Sequence, residues 1–445
     1  MPEEIGGGEA LRHRRWSGAI EILTSSRAKR IYIGLAALLV AFLWYSMVRR
    51  ALQQHGSQFD DFVNFSRDLV FRRANVYEEY PLEYTITKYP PFFSLLFAPF
   101  VPLPRWLGAS IWFWVSLGLA LAATYLSVRT VAEEEDAVRI ERATYVLPLL
   151  LTAGIIGSNL ETAQVNTVTL FLLCLSLYWF KRKKDISAGA ALGVVTALKL
   201  TPGLFIVYFL YKRAFRVVAA TTVAIVVCWL IVPALVFGPG NFVHIVGDWY
   251  GILSGFIREG TLAEGIQGFR DTNQSLSAAF HRYFTEVPAR WLRSEGRGEL
   301  YLNVLALDLW LADLIIKAMV VSILLLLAWL CRTPVGDRRN VALSLEYSLV
   351  FIATLFISPI SWINHYVFLL FPYAAAVYYI RTRRRGSRER QTLLYVLIAS
   401  FVLVSTSMSR LMQALSLPFL GALVLASGLA MSLRAEQKRE VRSTI

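Results

Sequence analysis

Cysteine is scarce in this sequence. The 445 residues hold three, Cys174, Cys228 and Cys331, each inside an apolar stretch and none in a C-x-x-C spacing. That excludes a disulfide framework and a thiolate metal site, and leaves them as buried small hydrophobes. Charge is scarce too, at 17% of residues against about 25% in ordinary soluble chains. No soluble domain, low-complexity tract or clear internal repeat is present, and the lack of a repeat argues against a transporter built from inverted halves. Nor is a cleavable leader expected. About 30 polar, basic residues precede the first apolar block and no small-residue cleavage site follows it, so the first helix is expected to remain as an anchor.

What fills the sequence instead is apolar. Hydrophobic residues make up 56% and aromatics 13%, more than a soluble core of this length can hide. They come in blocks of about 18 to 23, the length that crosses ~30 Å of hydrocarbon. The net charge of +14 sits in the connections between those blocks. It therefore reads as the positive-inside bias of membrane topology rather than as a nucleic-acid surface.

The pattern predicts an all-α integral membrane protein, a polytopic bundle of about twelve transmembrane helices. Spans are expected near 31–50, 107–128, 143–158, 163–180, 186–198, 201–211, 215–237, 308–331, 341–358, 363–380, 391–407 and 411–433. Basic clusters at alternate ends (181–184, 212–216, 332–339, 381–390) mark the cytoplasmic side. A basic segment 1–30 and a tail 434–445 then both lie in the cytoplasm, flanking a transmembrane domain 31–433. Two long connections, 51–106 and 238–307, fall outside. Residues 92–100 read as a short interfacial helix, because Pro99, Pro102 and Pro104 would break a span. In the second connection Thr272 or Asn273 is the expected N-cap of a helix carrying Leu276, Ala279, Phe280 and Tyr283.

Polar groups beside apolar spans are costly and therefore mark candidate sites. Asp60 and Asp61 follow the first span, either as a solvated helix start or as a general base at the membrane surface, and neighbouring carboxylates on a helix point in different directions. Tyr89-Pro90-Pro91 is either a helix stop or a ligand contact. Gln164 and Asn166 open the fourth span and serve either capping and interhelical hydrogen bonds or substrate. Lys199-Leu200-Thr201-Pro202 tops a hairpin of two pieces too short to cross comfortably. A lysine beside a helix start there is an anion site or a snorkelling side chain. Trp362, Asn364 and His365 lie within four residues between the ninth and tenth spans. The expected topology puts all five clusters on the outer side, as one site.

In this order the residues resemble the polyprenyl-phosphate-sugar-dependent membrane glycosyltransferases of the GT-C class, and above all glycosyltransferase family 87. The matching pieces are Asp61-Phe62 with Phe65, Tyr77, Lys88-Tyr89-Pro90-Pro91, and Ala163-Gln164-Val165-Asn166 with Ala where the family has Gly. They continue with Ala197 to Pro202, Asn273-Gln274-Ser275, and Ser358 to Trp362 with His365. The likeness covers about 31–380.

The resemblance implies an inverting transfer of a hexose, in the first place mannose, from a polyprenyl-phosphate donor to a glycolipid or glycan hydroxyl on the extracytoplasmic face of the plasma membrane. Asp61 would be the base, with Asp60 as understudy; Lys199 and His365 would hold the donor phosphate. Tyr89, Gln164, Asn166, Asn273, Gln274, Trp362 and Asn364 would contact substrate. No Asp-x-Asp motif is present, in keeping with a lipid-linked donor used without a metal or other cofactor. The competing readings are a transporter or lipid-carrier flippase, and a non-catalytic membrane subunit.

Overall fold

Runs of Leu, Val, Ile and Ala bounded by arginine and lysine form helices whose ends fall at the charges. A computed structural model describes residues 26–53, 58–79, 88–132, 141–259, 269–291, 298–384 and 386–444. Residues 1–25 of the basic segment 1–30 lie outside them, and its last five residues are the start of the first helix. Eight described helices are long and apolar enough to cross a membrane: α1 (Ser26–Gln53), α3 (Arg105–Val131), α4 (Arg142–Glu161), α8 (Phe215–Phe237), α11 (Leu309–Leu330), α13 (Leu370–Thr382 with the 3₁₀ turn Ile363–Leu369 before it), α14 (Arg388–Ser405) and α15 (Leu417–Thr444). Four shorter apolar helices take the other expected span positions: α5 (Asn166–Lys181), α6 (Asp185–Leu198), α7 (Leu204–Tyr211, after a 3₁₀ turn Thr201–Gly203) and α12 (Val341–Ile357). The protein is an all-α polytopic membrane protein.

Several boundaries differ from the sequence reading. The last span begins at Leu417, because a separate short helix, Arg410–Ala414, ends at the left-handed Ser416 (φ 54°). In the second long connection a 21-residue helix α9 (Pro239–Glu259) was not foreseen, nor was a hairpin of β1 (Arg290–Trp291) and β2 (Glu299–Leu300). Helix α10 (Leu276–Phe284) is capped by Ser275, whose Oγ accepts from Ala278 N at 3.1 Å, rather than by Thr272 or Asn273. In the first connection, α2 (Gln58–Ser66) precedes the helical run Pro91–Phe100.

Backbone contact sets the α6 hairpin. A Cβ on Gly189 would stand 2.3 Å from Val217 O, and one on Gly193 would stand 2.6 Å from Thr221 O. Glycines four apart thus let α6 lie directly on α8, the small-residue packing that joins helices in lipid. Thr221 Oγ1 also donates to Gly189 O at 3.0 Å.

The end of the bundle away from the hairpin tip holds buried cations. Lys212 and Glu346 pair at 2.6 Å, and Glu346 also accepts from Tyr208 OH and Thr333 N, both at 2.8 Å. Lys181 donates to the carbonyls of Thr130 and Ala132. Arg338 pairs with Asp185 and lies over the Phe180 ring. Such charges are tolerable in an apolar setting because each is hydrogen-bonded, and Lys212 and Arg338 are also ion-paired. The three cysteines are free and buried, as expected.

Candidate active site

The hairpin tip, α2 and the loop before α13 meet at the other end, around a cavity of about 920 Å³. One kind of wall is polar and carries Asp61, Lys88, Gln164, Lys199, Trp362 and His365. The other is apolar, built from helices α7, α9 and α11 through residues such as Leu204, Ile252, Ile316 and Val320.

Asp60 and Asp61 occupy the first turn of α2 and diverge, as the helix requires. Asp61 is exposed and lines the cavity. Asp60 is turned away from it, 7% exposed, with Oδ1 accepting from Arg105 Nη1 at 3.1 Å and Oδ2 unpartnered. Burial pushes the Asp60 carboxyl up to about 6, with Arg105 pulling it down and Asp61 adding to the rise. Solvent reaches Asp61, but the protein around the cavity partly desolvates its carboxyl and raises it above its ordinary value. An aromatic cluster fixes the height of α2. Phe62 meets Tyr89 edge-on at 5.6 Å, Tyr89 stacks on Phe93 at 4.1 Å, and Tyr77 OH donates to Tyr89 O at 2.8 Å. Tyr89 itself lines the cavity, next to Lys88, whose ammonium burial pulls down to about 8.

Lys199 leaves α6 in an extended conformation (φ −153°, ψ 129°). Its Nζ donates to Asn166 Oδ1 at 2.7 Å and lies 2.8 Å from His365 Nε2. These contacts use two of the ammonium's three hydrogens, and the side chain lines the cavity. Beside it Thr201 Oγ1 is buried without a partner. The Trp362 and His365 rings run nearly parallel, 6.4 Å apart. A lysine, an unpaired hydroxyl and an imidazole on one wall suit an anion such as a phosphate. The apolar wall beside them suits a hydrocarbon chain.

Other predicted residues do not reach the cavity wall. Asn166 is fully buried and holds Lys199, with its Nδ2 donating to Asn159 Oδ1 at 3.0 Å. Asn364 Oδ1 accepts from Ser158 Oγ at 2.7 Å, anchoring the 362–365 loop to α4. Asn273 and Gln274 are buried and join loop to loop. Asn273 Oδ1 accepts from Ser275 N and Ser361 N, while Gln274 donates through its backbone N to Ser361 O and through Nε2 to Gln413 O. Buried Arg282, not singled out from sequence, completes this clamp through Asn273 O at 2.8 Å and Ser416 Oγ at 2.6 Å. Asp313 and Lys317 on α11 were also missed. They pair at 2.6 Å on the cavity wall, and an Asp and a Lys four apart inside an apolar span was a readable signal.

Ala163 sits where the resembled family carries Gly, and the reason is geometric. Its φ is +59°, in the left-handed region, at the turn that sets Gln164 on the wall. Trp112 Nε1 donates to its carbonyl at 3.2 Å. A Cβ in that conformation is strained. Ala163→Gly is therefore expected to raise stability by about 1 kcal/mol, read as a higher unfolding temperature in detergent.

The model of glycosyltransferase family 87 matches residues 87–359, more than half of the chain. The chain belongs to glycosyltransferase family 87. The matched stretch includes Lys88, Gln164 and Lys199, begins after Asp61 and ends just before Trp362. A polyprenol-phosphate-mannose-dependent alpha-(1-2)-phosphatidylinositol mannoside mannosyltransferase of Mycolicibacterium smegmatis is 28% identical over 311 residues, 67% of this chain and 63% of that protein. Its pentamannoside-specific counterpart in the same organism is 26% identical over 305 residues, 66% of this chain and 60% of that protein. A phosphatidylinositol mannoside mannosyltransferase of Mycobacterium tuberculosis is 26% identical over 315 residues, 67% of this chain and 63% of that protein. The chain thus spans about three fifths of the length of these relatives. No solved structure matches it significantly.

Proposed function

We propose that this family 87 member moves a mannosyl group from a polyprenyl-phosphate donor to a hydroxyl of an extracytoplasmic glycolipid or glycan, with inversion and with Asp61 as general base. The observation that carries the proposal is the shared cavity: a carboxylate, a lysine–histidine pair and an apolar wall face one space. The relatives' use of polyprenol-phosphate mannose supports the donor.

The geometry supports the following chemistry. An acceptor hydroxyl attacks the anomeric carbon on the face opposite the phosphate, and its proton passes to Asp61. The anomeric carbon–oxygen bond breaks and its electron pair leaves with the lipid phosphate. Lys199, held by Asn166 and His365, neutralises the charge that grows on that phosphate. Thr201 offers a further hydrogen bond, and the prenyl chain lies along α7, α9 and α11. In this reading the reaction needs no metal or other cofactor. The site lies on the outer face of the plasma membrane, with both termini in the cytoplasm.

The test uses the full chain in proteoliposomes with labelled polyprenyl-phosphate mannose and phosphatidylinositol mannoside. The expected result is a labelled glycolipid one hexose heavier, formed equally well in EDTA. Donor movement into the vesicles with no covalent product would overturn the proposal in favour of a flippase.

A further inference from the structure

Helix α11 has only three buried residues, Ala312, Ile316 and Leu330. It stands off the bundle with a cavity on each side. The first is the candidate active site, lined by Asp313, Ile316, Lys317, Val320 and Val321 of α11. The second, of about 930 Å³, is lined by the α11 face Met319, Ile323, Leu326, Leu327 and Leu330, together with α12 and α15. Nothing in the proposed transfer uses it.

This second cavity is apolar along most of its length and basic at one end. On α15 it reaches from Phe419 to Arg439, past the end of the apolar stretch at Leu433. From Leu423 to Lys438 the helix rises about 22 Å at ~1.5 Å per residue, enough for an acyl chain from one leaflet of a ~30 Å hydrocarbon core. Arg434, Lys438 and Arg439 line its end against one acid, Glu389. Arg439 is paired with Glu389 and Glu436, and Glu436 is shared with Arg383. With all four cations and both acids counted, the end carries a net charge of +2. Arg434 lies over Trp329, its Cζ 3.4 Å from the ring centroid, which holds its guanidinium at the level where the hydrocarbon wall stops. Lys438 is exposed.

From this charge complementarity we propose that the groove between α11, α12 and α15 binds an anionic glycerophospholipid of the membrane. The acyl chain lies against Ile323, Leu327 and Phe356, and the phosphate sits among Arg434, Lys438 and Arg439. A zwitterionic lipid fills the apolar length equally well but brings its own cation to a cationic end, so the site discriminates by headgroup.

Native mass spectrometry of the full-length protein, after titration with phosphatidylglycerol or phosphatidylcholine in detergent, reads this directly. The expected result is retention of phosphatidylglycerol at least fivefold above phosphatidylcholine. Lys438→Gln should reduce that preference several-fold. Ala430→Phe, which fills the apolar part and leaves every charge in place, should lower retention of both lipids. Equal retention of the two lipids by the unchanged protein would overturn the proposal. So would phosphatidylglycerol retention that neither variant alters, provided both elute as monodisperse protein.

Discussion

Asp61→Asn is expected to lower mannosyl transfer by about 10²- to 10⁴-fold, the usual contribution of a positioned general base, or roughly 3–5 kcal/mol of transition-state stabilisation at 1.36 kcal/mol per decade. The asparagine keeps the size of the carboxylate and one acceptor oxygen but cannot take the acceptor's proton, so kcat falls more than donor KM rises. Asp60→Asn is the internal control. That carboxylate faces Arg105 rather than the cavity, and its loss should cost transfer at most about tenfold through α2. The pH profile provides a second readout. Partial desolvation at the cavity wall raises the Asp61 pKa, so the base stays protonated to higher pH than a free carboxylate. The rate should therefore rise with pH along a limb centred above ~3.9, and Asp61→Asn should abolish that limb. Initial rates with labelled donor check both points, and full turnover by Asp61→Asn would remove Asp61 from the mechanism.

Lys199→Met should cost about 10²- to 10³-fold in kcat, the scale seen when a group aimed at a developing oxyanion is removed. Methionine fills the space of the lysine stem, so the loss reports charge rather than packing. Asn166 Oδ1 and His365 Nε2 lose their donor with it. Asn166→Ala should consequently show a smaller kcat defect of the same kind, together with some loss of stability because buried Asn159 Oδ1 also loses its donor. Single-turnover rates on purified protein separate this from weaker donor binding. A Lys199→Met rate within threefold of the parent protein would show that the leaving phosphate is neutralised elsewhere, with Lys88 the next residue to test.

The spans were legible because burial in lipid imposes one long, simple signal, and α1, α3, α4 and α11 follow it closely. Helix α9 was not legible: His244, Asp248 and glycines at 240, 247, 251 and 255 interrupt its apolar pattern. It forms because it packs beside α8 and against the first loop, where Asn75 Nδ2 donates to Asp248 Oδ2 at 2.5 Å. At the site, charge next to apolar sequence was enough to single out Asp61, Lys199 and His365. Sequence does not distinguish a side chain that faces a cavity from one that satisfies buried backbone. Asn273 and Gln274 share the polarity of Gln164 yet do the second job. Asp313 and Lys317 were readable but were masked by the hydrophobicity of their helix.

The α6 hairpin carries one more consequence. Its 14 residues rise about 21 Å at ~1.5 Å each, some 9 Å short of a ~30 Å hydrocarbon core. Helix α8, on which the hairpin packs through Gly189 and Gly193, and α11 on the cavity wall are 23 and 22 residues long, enough to cross. The short hairpin therefore ends in a recess among full-length spans, and under the proposed function a lipid-linked phosphate has to enter that recess, below the ends of the neighbouring helices, to meet Lys199.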